Sequence, residues 1–203
     1  MMNHTPVAYG PLIDVHRRAG AELETVDGWL VPSRYPVEPE KNSDVIVDVS
    51  HQTVFEINGP NTATNLRSLY GKDVQVRSIC LSDSVQAYRL TDERAVIFGK
   101  TNEPQAINVT GGWASIALFG PNRRKLLSKI TALDLRDCAL PEHHCCQGPI
   151  FGVNTLFGRF QNHYELHTGP DSIEFLWEVF LDAGQEFQLQ PAGRNFYLQE
   201  MGS

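Results

Sequence analysis

Several stretches of the chain carry side chains that can do chemistry. The densest is His143-His144-Cys145-Cys146. Imidazoles and thiolates are zinc ligands, and on a strand His143 and Cys145 share a face. A tetrahedral zinc site needs a second pair, and none stands at a zinc-like spacing, so the run reads as structural or solvent-facing. Asp48-Val49-Ser50-His51 holds the residue types of a nucleophilic relay. Strand alternation puts Asp48 and Ser50 on one face and His51 on the other, the wrong geometry for a local Ser-His-Asp relay. Glu165 sits between Tyr164 and Leu166 in a strand-like run, where a charged residue is expected to point to solvent. Arg194 follows Pro191-Ala192-Gly193 and opens a helical stretch. A cation there opposes the helix dipole, and residues that break a local rule are candidates for function. Trp29, in Gly28-Trp29-Leu30-Val31-Pro32, is expected within a loop as the apolar anchor beneath it. There is no G-x-G-x-x-G, Walker loop, H-E-x-x-H or G-x-S-x-G pattern. That argues against dinucleotide, P-loop, zincin and α/β-hydrolase chemistry.

The chain that must position these groups has 203 residues, 41% hydrophobic and 20% charged, enough to bury a core in one domain or two small ones. A net charge of -7 disfavours nucleic acid, whose phosphates need clustered Lys and Arg. No apolar run approaches the roughly 18 residues of a membrane span. Residues 1–20 hold no apolar core of a secretory signal, so the expected location is the cytoplasm. Cys80, Cys138, Cys145 and Cys146 contain no C-x-x-C spacing and read as reduced thiols.

The first 45 residues are punctuated by Pro6, Pro11, Pro32, Pro36 and Pro39 and are expected to be loop-rich, with one short helix over Pro11–Ala19. Strand-like runs follow at 45–49 and 54–57. An internal echo comes next. Val54-Phe55-Glu56-Ile57 enters Gly59-Pro60-Asn61 and a helical stretch, Thr62 to Tyr70. Ile116-Ala117-Leu118-Phe119 enters Gly120-Pro121-Asn122 and a second, Arg123 to Ile130. The two Gly-Pro-Asn turns stand 61 residues apart. Glycine permits the sharp exit from the strand, and proline is expected to start the helix, where its missing N–H costs nothing. Further strands are expected at 85–90, 95–98, 145–156 and 164–167, and helices at 171–183 and 195–201. A duplicated strand-helix-strand-strand unit predicts an α+β fold of two modules.

Taken together, these stretches resemble the glycine cleavage system T-protein, the aminomethyltransferase family that binds tetrahydrofolate. Gly10-Pro11-Leu12-Ile13-Asp14-Val15-His16, Gly20-Ala21, Gly28-Trp29, Pro32 and Tyr35 are similar to that family's N-terminus. Asp48-Val49-Ser50-His51 resembles its D-V-S-H-M motif, with Gln52 in place of Met. Trp113-Ala114-Ser115-Ile116-Ala117-Leu118-Phe119-Gly120-Pro121 resembles its A-x-x-A-L-Q-G-P turn. Tyr164-Glu165-Leu166 and the helix with Leu176-Trp177 resemble the strand and helix beside the folate, and Pro191 to Gly202 resembles A-R-D-x-x-R-L-E-x-G. The similarity runs in order over nearly the whole chain. The resemblance implies two ferredoxin-like, folate-binding modules. On that resemblance, residues 1–46 with 110–203 are expected to form a discontinuous first domain and residues 47–109 the second, with the family's C-terminal β-barrel expected to be absent.

The resemblance also assigns roles. Glu165 matches the carboxylate that accepts two hydrogen bonds from the pterin ring of tetrahydrofolate, a bidentate charge-assisted contact. Arg194 matches an arginine on the folate side of the channel, and Tyr88 matches an aromatic lining the cofactor. The family's catalytic aspartate is the second acid of G-G-x-I-D-D-L-I/V-V-Y. Aligned on Asp83-Ser84-Val85-Gln86-Ala87-Tyr88, that position is Ser84, and both glycines are missing. A serine supplies no negative charge for a developing cation. Shifting the alignment by one restores an Asp but reverses the side-chain faces of Tyr88-Arg89-Leu90. The leading expectation is a tetrahydrofolate-binding, aminomethyltransferase-like protein with altered or lost transfer, meeting a lipoyl carrier protein or a larger oxidase or one-carbon complex. The alternatives are a non-catalytic scaffold similar to the sarcosine oxidase gamma subunit, and an active short aminomethyltransferase in which Asp83 or Asp48 stands in.

Overall fold

The structure is a computed structural model that describes residues 7–82 and 85–202. Asp83 and Ser84 lie outside the described residues. The N-terminal part holds β1 (Ala8–Tyr9), α1 (Ile13–Arg18), β2 (Glu22–Val26) and β3 (Trp29–Arg34). The second part begins with β4 (Val45–Asp48), β5 (Val54–Asn58), α2 (Thr62–Tyr70), β6 (Ser78–Ser82), β7 (Val85–Thr91), β8 (Arg94–Phe98) and β9 (Ile107–Asn108). It continues with β10 (Ala114–Phe119), α3 (Arg123–Ile130), β11 (His144–Ile150), β12 (Val153–Arg159), β13 (His163–Thr168), α4 (Ile173–Ala183), β14 (Gln190–Ala192) and α5 (Arg194–Met201).

The expectation of a loop-rich start is corrected. β2 and β3 form an antiparallel hairpin around Asp27 (φ 49°) and Gly28 (φ 84°). Two successive positive φ values are what a two-residue hairpin turn requires, and Asp-Gly supplies them. Trp29 is therefore the first residue of β3, half-buried, rather than an anchor under a loop. Pro32 sits inside β3, opposite Leu23, beside an irregularity in the ladder.

β1 adds to the β2–β3 hairpin by pairing parallel with β3. The other strands form one sheet in the order β14-β4-β10-β13-β12-β11-β6-β7-β8-β5-β9. The two halves of the sheet meet where β11 pairs with β6, His144 opposite Ser78. Backbone bonds from Ile79 N to His143 O (2.6 Å) and from Cys145 N to Arg77 O (2.9 Å) close the seam. His143 has φ 56° and precedes the strand, so it does not alternate with Cys145 as the strand reading expected.

Helices α3 and α4 cover one face of the first half. Leu126, Leu127, Leu176, Trp177 and Phe180 pack there on Ile116, Leu118, Phe157, Tyr164 and Leu166. Each such side chain contributes roughly 1.5–3 kcal/mol on full burial. Helix α2 covers the second half through Leu66, against Ile57, Cys80, Ala87, Ala95 and Ile97. A third cluster joins the halves, with Tyr88, Val96 and Phe98 packed on Cys145, Leu156 and Phe160. The sheet thus curls so that faces without helices meet each other.

The two Gly-Pro-Asn turns have matching backbones. Gly59 has φ 117° and Gly120 φ 107°, and Asn61 and Asn122 both have ψ 4°. Each proline lies one residue before the helix-capping asparagine, so it shapes the entering turn rather than starting the helix. A Cβ on Gly120 would lie 2.4 Å from Asp44 Oδ1, so this turn also needs glycine for close approach. Asp44 in return accepts bonds from the backbone N and side-chain Nδ2 of Asn122, each 2.8 Å. Among the described residues no helix is long and apolar enough to cross a membrane.

Candidate functional site

Strand β13 is interior, paired with β10 on one side and β12 on the other. Its period of two puts Tyr164 and Leu166 toward α3 and α4, and His163, Glu165 and His167 toward the opposite face. That opposite face is not in water. The second half of the sheet and α5 close over it, and Glu165 is 0% exposed. The expectation that Glu165 points to solvent is therefore overturned, because both faces of its strand are covered.

A buried carboxylate requires donors. The Tyr197 hydroxyl donates to Glu165 Oε1 at 2.9 Å, Gln86 Nε2 donates at 3.1 Å, and His163 Nε2 lies 3.3 Å away. The Tyr88 hydroxyl lies 3.3 Å from Oε2 and 3.2 Å from Gln86 Oε1. Burial pushes the Glu165 carboxyl up, but the His163 hydrogen bond, the neighbouring His163 and His167 imidazoles, and the Gln86 amide outweigh it and hold it down to about 2. Tyr88 and Tyr197 are pushed well above the usual phenol range, by burial first and by the Glu165 charge second. Both remain hydroxyl donors.

Imidazoles frame the carboxylate. His163 stacks between Phe119 and Phe160, with ring centroids 4.8 Å and 4.5 Å away. His167 stacks on Phe98 at 3.9 Å. Its Nδ1 meets Ser115 Oγ at 2.8 Å and its Nε2 meets the Tyr88 hydroxyl at 3.1 Å. Burial lowers His167 to about 4 against the opposing pull of Glu165, so it is neutral near pH 7. Gly158 faces Glu165 across the β12–β13 ladder. A Cβ there would lie 2.5 Å from the Tyr88 hydroxyl, so its bare backbone makes room for that ring.

Arg194 is the first residue of α5 and lies one turn before Tyr197. It turns to Glu24 on β2, whose Oε1 lies 3.5 Å from its Nη1. That carboxylate offsets the mismatch of a cation with the helix dipole. Near Arg194, His51 Nδ1 and Glu24 Oε1 are buried without a hydrogen-bond partner, as is Oε1 of the next residue along from His51, Gln52. Burial lowers His51, and the Arg194 charge adds to that against the pull of Asp48, Asp27 and Glu24. The Gln52 side chain also faces the Tyr197 hydroxyl.

Asp48 serves elsewhere. Its Oδ2 lies 2.9 Å from His16 Nε2, and His16 Nδ1 lies 2.6 Å from the Tyr35 hydroxyl. Burial would raise the Asp48 carboxyl, but the His16 and Ser50 bonds keep it low. Ser50 Oγ turns instead to Ser115, 3.0 Å from its backbone N, so Asp48, Ser50 and His51 make no relay. Among the described residues no group of three or more His, Cys, Asp or Glu could hold a metal ion.

The structure thus brings Glu165 and Tyr88 into contact and sets Arg194 at one side, a helical turn from Tyr197. Gln86, His163, His167, Tyr197 and Gln52 were not anticipated. The signal for two of them is the alternation His163-x-Glu165-x-His167, three polar side chains on one strand face.

The sequence profile of the GCVT N-terminal domain family matches residues 85–197, more than half of the chain. The chain belongs to that family. This GCVT-domain protein is 26% identical to an aminomethyltransferase of Halothermothrix orenii over 220 residues, 90% of this chain and 61% of the relative. It thus spans about 60% of the length of such curated relatives. The fold is similar to that of glycine cleavage system aminomethyltransferase T from Bartonella henselae, with a TM-score of 0.74, 17% identity, and coverage of 92% of this chain and 60% of that one. It is also similar to a chain of heterotetrameric sarcosine oxidase from Corynebacterium sp. U-96, with a TM-score of 0.67, 14% identity, and coverage of 88% and 95%.

Proposed function

We propose that this GCVT-family protein binds tetrahydrofolate and that its aminomethyl transfer is altered or lost. The observation that carries the reading is Glu165, a fully buried carboxylate held ionised at the place the resemblance gives to the pterin acceptor. Glu165 would accept the paired N–H donors of the pterin, Tyr88 would line the ring, and Arg194 would stand on the polar side. The unpartnered His51 Nδ1 near Arg194, and Gln52 Oε1 on the next residue, fit a polar ligand there, because buried polar atoms are normally paired. Bound tetrahydrofolate supplies an amine that accepts a one-carbon unit. Altered chemistry follows from Ser84, which stands where the resemblance puts the catalytic acid. Asp48 is a poor substitute, since His16 and the Ser50 backbone N already engage both of its oxygens.

Anaerobic titration of the purified protein with tetrahydrofolate, followed by tryptophan fluorescence or heat, tests the binding claim. Saturable binding that weakens in Glu165→Gln is expected; no binding at millimolar ligand overturns it. A glycine cleavage assay with a lipoylated carrier protein tests the second claim, and ordinary turnover sinks the idea of lost activity. The proposed division into residues 1–46 with 110–203, and 47–109, is supported by the α2 cluster, whose residues all fall between 55 and 106.

A second reading is a non-catalytic scaffold within a larger oxidase or one-carbon complex. It is favoured by the sarcosine oxidase chain, 95% of whose length is matched. Purification as a stable monomer with no partner counts against it.

A further inference from the structure

Glu165 accepts bonds from four residues, and they are not equally fixed. Gln86 and Tyr88 stand on β7, and His163 on β13, both strands paired on both sides within the sheet. Displacing the backbone that carries any of them breaks ladder bonds. Tyr197 makes the shortest contact, 2.9 Å, yet it rides on α5, a helix of eight residues with none fully buried. Its hold on the core is through two partly buried side chains, Phe196 and Tyr197, so it opens at lower cost than an interior strand. A cavity of about 380 Å³ borders it, lined by Phe196 and Glu200 of α5 and by Phe119, Arg123 and Asn162.

We propose that Tyr197 is an exchangeable occupant of the Glu165 site: its hydroxyl holds the acceptor position on Oε1, and a ligand with paired N–H donors binds by displacing it. The proposal rests on the folate reading and adds a residue that determines access and specificity. The exchange keeps Glu165 satisfied in both states, so the carboxylate is never left buried and bare. It also selects ligands. A group with one donor merely replaces the tyrosine bond, whereas the two adjacent donors of an aminopyrimidinone edge gain a second bond. Gln52, where the resemblance has Met, faces the Tyr197 hydroxyl with its side-chain amide, so a polar group stands beside the position that Tyr197 would vacate.

The test compares wild type, Tyr197→Phe, Tyr197→Ala and Glu165→Gln. Each is titrated anaerobically with tetrahydrofolate, and the ligand-free proteins are followed by amide hydrogen exchange. Tyr197→Phe keeps the ring and its packing and removes the competing hydroxyl. It is expected to bind about tenfold tighter, the equivalent of one hydrogen bond of about 1.4 kcal/mol. Exchange across 194–201 should quicken by a similar factor while β13 stays protected. Tyr197→Ala should bind at least as tightly. Equal affinity for wild type and both Tyr197 variants, with Glu165→Gln still weakened, overturns the exchange and leaves the folate reading standing. Unchanged exchange of α5 in Tyr197→Phe overturns it as well. Absence of saturable binding in every variant overturns the folate reading, and the exchange with it.

Discussion

Gly158 and Tyr88 share one volume: the side chain that Gly158 lacks would sit 2.5 Å from the Tyr88 hydroxyl and 2.6 Å from its Cε1. Tyr88 can reach Glu165 because its neighbour on β12 has no Cβ. Gly158→Ala is therefore expected to destabilise the protein by about 2 kcal/mol, the usual cost of overpacking a filled core. Tyr88→Leu should relieve part of that cost, with a coupling above about 0.5 kcal/mol in a double-mutant cycle. Urea denaturation of the two single variants and the double variant measures it, and strict additivity would contradict the contact.

Removing the Glu165 carboxylate orphans the donors aimed at it. Glu165→Ala should cost about 3–5 kcal/mol, as expected when one partner of a buried charged network is lost. Glu165→Gln keeps the shape and half of the acceptor capacity and should cost less. Chemical denaturation of both separates them, and an alanine variant within about 0.5 kcal/mol of wild type would show that the donors find other partners.

Acid should weaken the fold in two steps. Burial holds His167 down to about 4, against about 6.5 in an unfolded chain. The unfolded chain takes up that proton first, so this contribution is complete above about 6.5 and is lost as the pH falls toward 4. His51 is shifted in the same direction. Glu165, lowered to about 2, adds a further loss only below the ordinary Glu value of about 4.3. Melting temperatures between pH 7.5 and 4.5 should fall in wild type and fall less in His167→Gln. The same slope in both would remove His167 from the account.

The Asp48–His16–Tyr35 chain ties α1 and β3 to β4 beneath Trp177, whose ring lies edge-on to His16 at 5.5 Å. His16→Ala leaves Asp48, only 8% exposed, without its imidazole and should cost about 3–5 kcal/mol. Adding Asp48→Asn should recover part of it, because an uncharged amide tolerates burial better. Recovery is read from the denaturation midpoints, and a double variant less stable than His16→Ala alone would argue against a charge penalty.

Much of this molecule is determined locally. The Gly-Pro-Asn turns set helices α2 and α3 at matched positions, because glycine at positive φ and the proline after it act within a few residues. Asp27-Gly28 carried the hairpin in the same way, although the surrounding prolines suggested loop. The alternation His163-x-Glu165-x-His167 lay in the sequence as a mark of one polar face, although only Glu165 was singled out, and the ordered motifs marked the family. Nothing local determines what covers that face. Gln86 and Tyr88 reach Glu165 from 79 and 77 residues away, and Tyr197 from 32 residues further on. Whether a strand's polar face meets water or a second layer depends on how the sheet curls. Only the tertiary structure decided that, and it turned a carboxylate expected at the surface into a buried, ionised acceptor.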